Sequence, residues 1–62
     1  MTFGEKLLMF RAINDLSQLQ LSEILGVTPI MVHRYEAMIS KPRPKNKIIF
    51  ENKMEEWEEK TK

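Results

Sequence analysis

The sequence predicts an all-α domain of four helices. Apolar residues recur at helical spacing in the long segments, with Phe3, Leu7 and Phe10 first and Phe50, Met54 and Trp57 last. No segment alternates with period two, as a half-buried strand would. Capping and breaking residues stand at the borders of each periodic run, so the boundaries can be read along with the elements.

Thr2 and Glu5 have the spacing of a capping box and open a helix that runs to about Asn14, where Asn14-Asp15 breaks it. The next stretch, LSQLQLSEILGVTPIMVHRYE over residues 16–36, reads as helix, tight turn, helix. Ser17 caps the first of these helices, residues 17–25, which buries Leu21 and Leu25. Ser22 is small enough for two helices to cross closely, and Gly26 suits the conformation that ends a helix. Thr28 caps the third helix, which runs to about Met38, and Pro29 fits its first turn because that turn has spare N–H groups.

Val27, Val32, Tyr35 and Ile39 are expected on the core side, with Thr28 and Met31 near its boundary. Ile30, His33, Arg34 and Ala37 take the opposite face. Ser40 to Asn46 contains Pro42 and Pro44 and is expected to be irregular. Asn46 then caps a last helix over about residues 47–59. Gln18, Ser22, Gly26, Val27, Val32 and Tyr35 fall in register for a helix-turn-helix unit over residues 17–38, the arrangement that places a second helix in the major groove of DNA.

Sixty-two residues make one small domain, 1–62, which is marginal alone because it buries only ~60% of its unfolded surface. With no cysteine, neither disulfides nor thiolate metal sites can reinforce it, so efficient helix packing or self-association must. A reducing cytoplasm fits that composition. No apolar run approaches the ~20 residues of a membrane span, and residues 1–10 lack the shape of a secretion signal. The expectation is a soluble chain with no membrane partner.

With no second histidine and no cysteine, His33 lacks the partners a metal site of its kind needs, and neither metal nor cofactor is expected. There is no phosphate-binding loop and no set of nucleophile, base and oxyanion donors, so an enzyme is not expected either.

The net charge of +1 conceals an asymmetry. Lys41, Arg43, Lys45 and Lys47 place four cations in seven residues with no acid between them. From residue 51 onward five glutamates, 51, 55, 56, 58 and 59, oppose Lys53, Lys60 and Lys62. A basic segment beside a helix-turn-helix suits phosphates; the same segment elsewhere would be read as a solvated loop.

With these residues in view, the chain resembles the lambda-repressor/Cro-like (XRE-like) helix-turn-helix family, without gaps from residue 3 to about 54. The family's opening stands as FGEKL, its Leu-Arg pair as Phe10-Arg11, its LSQ as Leu16-Ser17-Gln18 and its LGV as Leu25-Gly26-Val27. Its R-Y-E ending stands as Arg34-Tyr35-Glu36, and Pro42 matches the proline after the third helix. The resemblance implies a lambda-repressor-like fold. The chain departs from the family after Met54, where EEWEEKTK replaces the family's Gly-Val and fifth helix and continues as one extended C-terminal helix. The resemblance also implies a bacterial or phage transcriptional regulator, cytoplasmic and nucleoid-associated when bound, that grips operator DNA as a dimer.

On that resemblance, base contacts are expected from Pro29, Ile30, His33 and Arg34, and phosphate contacts from Ser17, Gln18, Thr28, Lys41, Arg43 and Lys45. Arg34 can fork to a guanine or grip a phosphate, and Ile30 can touch a thymine methyl. His33 is equally readable as an ordinary exposed histidine. The family counterparts of Arg11 and Glu36 form a partly buried salt bridge joining the first and third helices.

Leu8, Met9, Ile13, Leu19 and Ile24 depart from the family, which is usually charged or polar there. Pro29, Ile30 and Met31 also replace its usual polar group, and Met38 stands where it has glycine. Clustered apolar surface on a small domain marks an interface. Phe50, Met54 and Trp57 are the candidate homodimer seam, with Trp57 either the two-fold anchor or folded back on its own core. The main expectation is a small repressor on a palindromic operator, with recognition helices ~34 Å apart. The rival is an antirepressor, a helix-turn-helix protein that binds and disables a partner repressor.

Overall fold

Each of the first three helices ends by the same device, one residue in the left-handed region followed by a backbone bond that closes the last turn. The computed structural model describes residues 1–61; Lys62, the end of the expected domain, lies outside the described residues. Four helices follow in order, α1 (Phe3–Asn14), α2 (Gln18–Leu25), α3 (Pro29–Glu36) and α4 (Pro44–Thr61), with no strand among the described residues.

The left-handed residues are Asp15 (φ 53°), Gly26 (φ 76°) and Met38 (φ 62°). Leu16 N–H donates to Arg11 C=O at 2.9 Å, Val27 N–H to Ser22 C=O at 3.0 Å and Ile39 N–H to Arg34 C=O at 2.9 Å. These bonds satisfy carbonyls that a helix end would otherwise leave open. Only Gly26 adopts the conformation without steric cost; Met38 does so with a full side chain.

That geometry corrects the third helix. It stops at Glu36, two residues before the expected Met38, because the left-handed turn is already under way there. Ile39, expected on the core side, is swung out and exposed. The last helix is corrected as well. It starts at Pro44, with Arg43 C=O accepting from Lys47 N–H at 2.8 Å, and runs to Thr61 instead of about Glu59. Pro44 opens the helix because the first turn asks for no N–H from it. Asn46 is therefore helical and not a cap, and Lys45 and Lys47 belong to a helix and not a loop.

The N-terminal ends follow the capping rules. Thr2 and Glu5 exchange bonds in a complete capping box, and so do Ser17 and Gln20. Thr28 accepts from Met31 N–H at the start of α3, with Pro29 in the first turn.

The core is Phe3, Leu7, Phe10, Leu21, Leu25, Val32, Tyr35, Phe50 and Met54, with Leu16, Ile24, Val27, Met31 and Trp57 packed against its edge. Phe3 meets Tyr35 edge-on with centroids 5.6 Å apart, and Phe10 meets Trp57 at 5.7 Å. Each such pair adds ~0.5–1.5 kcal/mol beyond its area. Where α1 crosses α3, Gly4 lies so close to Tyr35 C=O that a Cβ would overlap that oxygen, so only glycine permits this crossing. Among the described residues no helix is long and apolar enough to cross a membrane.

Candidate nucleic-acid interface

The outward face of α3 is set by what holds its inward face. Val32 and Tyr35 are buried, which by the 3.6-residue repeat turns Ile30, His33, Arg34 and Ala37 outward, and all four are exposed. Pro29 and Thr28 are exposed at the start of the same helix. The base-contact candidates thus share one open face, with a cation and an apolar group one turn apart.

Glu36, at the end of α3, is buried and ties three helices together. Its Oε2 lies 3.2 Å from Arg11 Nε on α1, and its Oε1 accepts from Gln18 Nε2 on α2 at 2.9 Å. Arg11 Nε and Nη1 are themselves buried and make no well-aligned hydrogen bond, so the pair is held by charge and packing. Gln18 is half-buried and committed to Glu36; it braces α3, and only the remainder of its amide is free for a phosphate. Ser17 and Thr28 are exposed, each with its hydroxyl oxygen accepting a capping bond at 3.1 and 3.3 Å.

Lys41, Arg43 and Lys45 are exposed, and among the described residues none has a carboxylate within ion-pair distance. They gather where the segment after α3 enters α4. The first turn of α4 carries Lys45 and no acid, whereas its C-terminal half carries Glu55, Glu56, Glu58 and Glu59. This order opposes the helix macrodipole, which favours acids at the start and bases at the end by ~0.3–1 kcal/mol each. Core packing by Phe50 and Met54 holds the helix instead. The result is a polarised element, with cations and no acid in its first turn and four glutamates against Lys53 and Lys60 in its C-terminal half.

Two carboxyls are held below the ordinary range. The Thr2 backbone N–H and then its hydroxyl lower Glu5, and the Lys6 ammonium, 2.6 Å from Glu51 Oε2, lowers Glu51.

Phe50 and Met54 do not form an exposed seam. Both are buried in the protein's own core, and Trp57 is half-buried against Phe10, so the expected dimer contact through these three is corrected to an internal one. Phe50 packs against Phe3 of α1, with ring centroids 6.1 Å apart, and Trp57 against Phe10. Sequence reasoning missed two residues that position this region. Gly4 sets the α1–α3 crossing, a need visible only in three dimensions. Lys53 donates to Leu25 C=O at 3.2 Å and so closes the end of α2 from α4, with no local signal in the chain. No protein-family model, no curated protein and no solved structure matches the chain.

Proposed function

We propose that this chain is a lambda-repressor/Cro-like helix-turn-helix domain that binds operator DNA as a homodimer and represses transcription by occupying the site. In this reading α2 and α3 are the helix-turn-helix, α3 enters the major groove, and Arg34 and Ile30 read base edges, with His33 and Pro29 beside them. Thr28, Ser17, Lys41, Arg43 and Lys45 contact phosphates.

The observation that carries the reading is an open α3 face, anchored by the Arg11–Glu36–Gln18 link and followed along the chain by a group of cations that, among the described residues, have no carboxylate within ion-pair distance. An interface built to neutralise phosphates leaves its cations free.

The test is selection of bound sequences from a random DNA pool, followed by a salt titration of the best one. Affinity should fall steeply as salt rises, with a slope of about −0.9 per phosphate neutralised. Lys41→Ala and Lys45→Ala should each weaken binding to all sequences alike and flatten that slope. A change of base preference at one position would remove the phosphate role from that lysine. Failure to select any sequence would overturn the DNA reading.

Exposed Ile30 at the head of α3 favours a second reading, the antirepressor, in which the same face packs on a partner repressor.

A further inference from the structure

Helix α1 is apolar on both sides. Phe3, Leu7 and Phe10 face the core, yet Leu8, Met9, Ala12 and Ile13 line the opposite side, with Leu8 45%, Met9 49% and Ile13 70% exposed. The two stripes are half a turn apart by the 3.6-residue repeat. Between them α1 is already engaged, by Gly4 and Arg11 with α3 and by Lys6 with Glu51 of α4. Among the described residues, the outer stripe is therefore the side of α1 left open.

We infer that the outer stripe of α1, Leu8, Met9, Ala12 and Ile13, is a self-association seam that takes α1 of a second copy in antiparallel orientation. Three features select that occupant. First, the four stripe residues are uncharged, and the charged Glu5 at the head of the stripe, bonded to Thr2, meets the far end of the partner's α1 in an antiparallel pair and not its own copy. Two copies can meet there without opposing like charges, whereas the acidic outer side of α4 or the cations around Lys41 would repel themselves.

Second, the stripe complements itself. A two-fold axis beside its middle sets Leu8 against the partner's Ile13 and Met9 against the partner's Ala12. Each long, adaptable methionine then lies over a small alanine, and the two macrodipoles run in opposing directions. Third, the exposed parts of these side chains amount to a few hundred Å², the size at which an apolar patch marks an interface, yet below the ~800 Å² per partner of a standard one. The dimer is accordingly weak, with a dissociation constant on the order of micromolar to tens of micromolar.

This seam supplies the dimer that the proposed function uses, and it is tested without DNA so that the two can fail separately. Sedimentation of the full chain should show a reversible monomer–dimer equilibrium in that concentration range. Met9→Glu and Ala12→Lys, each alone, should raise the dissociation constant by about tenfold or more, because each buries an unpaired charge. Circular dichroism should show both variants as helical as the parent, since both positions are exposed. Mixing the two variants should restore a dimer, because position 9 of one chain then faces position 12 of the other with opposite charge.

A parent chain that stays monomeric throughout that range overturns the proposal. So do variants that dimerise like the parent, whether the native seam lies elsewhere or a heterologous contact is in use. Loss of dimer in each variant without recovery in the mixture overturns the antiparallel pairing. Failure of DNA selection leaves the sedimentation result standing.

Discussion

Arg11 Nε stands 3.2 Å from Glu36 Oε2 and joins α1 to the last turn of α3, where the Glu36 side chain is only 6% exposed and that of Arg11 21%. Such a pair adds little net stability over apolar packing, because both charges lose water. Removing one partner strands the other.

Glu36→Ala should therefore destabilise the fold by ~2–4 kcal/mol, at or somewhat below the range for a fully buried pair because Arg11 keeps some solvent. Glu59→Ala, at an exposed position on α4, should change stability by less than ~0.5 kcal/mol. Urea denaturation of both variants checks this; equal midpoints would remove the link between α1 and α3.

Gly4→Ala should be as damaging as a core change although it adds only a methyl group. The new Cβ would overlap the Tyr35 carbonyl oxygen, a backbone atom that cannot rotate away. Prising α1 off α3 should cost ~1–3 kcal/mol, read as a lowered thermal midpoint. An unchanged midpoint would show that the two helices tolerate a wider crossing.

Met38→Gly should act in the opposite direction. Met38 holds φ 62° and is half exposed, so glycine relieves steric strain with little loss of packing. A gain of ~0.5–1 kcal/mol is expected after allowing for the greater freedom of glycine in the unfolded chain. Chemical denaturation measures it directly, and a loss would show that the Met38 side chain is needed beside Tyr35.

Acid should weaken the fold through Glu5 and Glu51. Both carboxyls are held below their ordinary range when folded, by Thr2 and by Lys6 respectively, and recover ordinary values on unfolding. The unfolded state thus binds their protons more readily. Their contribution is complete above the ordinary carboxylate range and is lost as pH falls through the lowered folded values. Thermal midpoints should stay level near neutrality and fall in acid. The Glu5→Gln, Glu51→Gln double variant should show a shallower acid decline, and an unchanged decline would place the acid sensitivity in other carboxylates.

Arg34 and Ile30 share the outward face of α3 but should fail differently on DNA. Arg34→Ala removes a charge-assisted donor and should cost ~1–3 kcal/mol of binding if it reads a guanine, with relaxed discrimination at that base. Ile30→Ala should cost less and weaken only a preference for thymine. Binding assays with the best selected DNA, and with candidate partner repressors, check the order. If Ile30→Ala abolishes a protein complex that Arg34→Ala spares, the antirepressor reading replaces the operator-binding one.

By itself the sequence determined the features that depend on neighbours along the chain. Thr2, Ser17 and Thr28 cap the helices they were expected to cap, and Gly26 ends α2. The α3 residues Ile30, His33, Arg34 and Ala37 were legible as one outward set because the helical repeat is the same in any surroundings.

Tertiary structure decided the burial of the apolar residues that the helical repeat left open, beyond Leu21, Leu25, Val32 and Tyr35, which were expected in the core and lie there. Phe50 and Met54 could be read as seam or core because helical spacing says that a face is apolar and not what covers it. Ile39 was expected inward and is exposed, because the left-handed Met38 turns the chain away after α3. Contact across the fold likewise decided that residue 4 must lack a side chain and that Lys53 closes the end of α2. Such requirements come from atoms distant in sequence, and local propensity carries no trace of them.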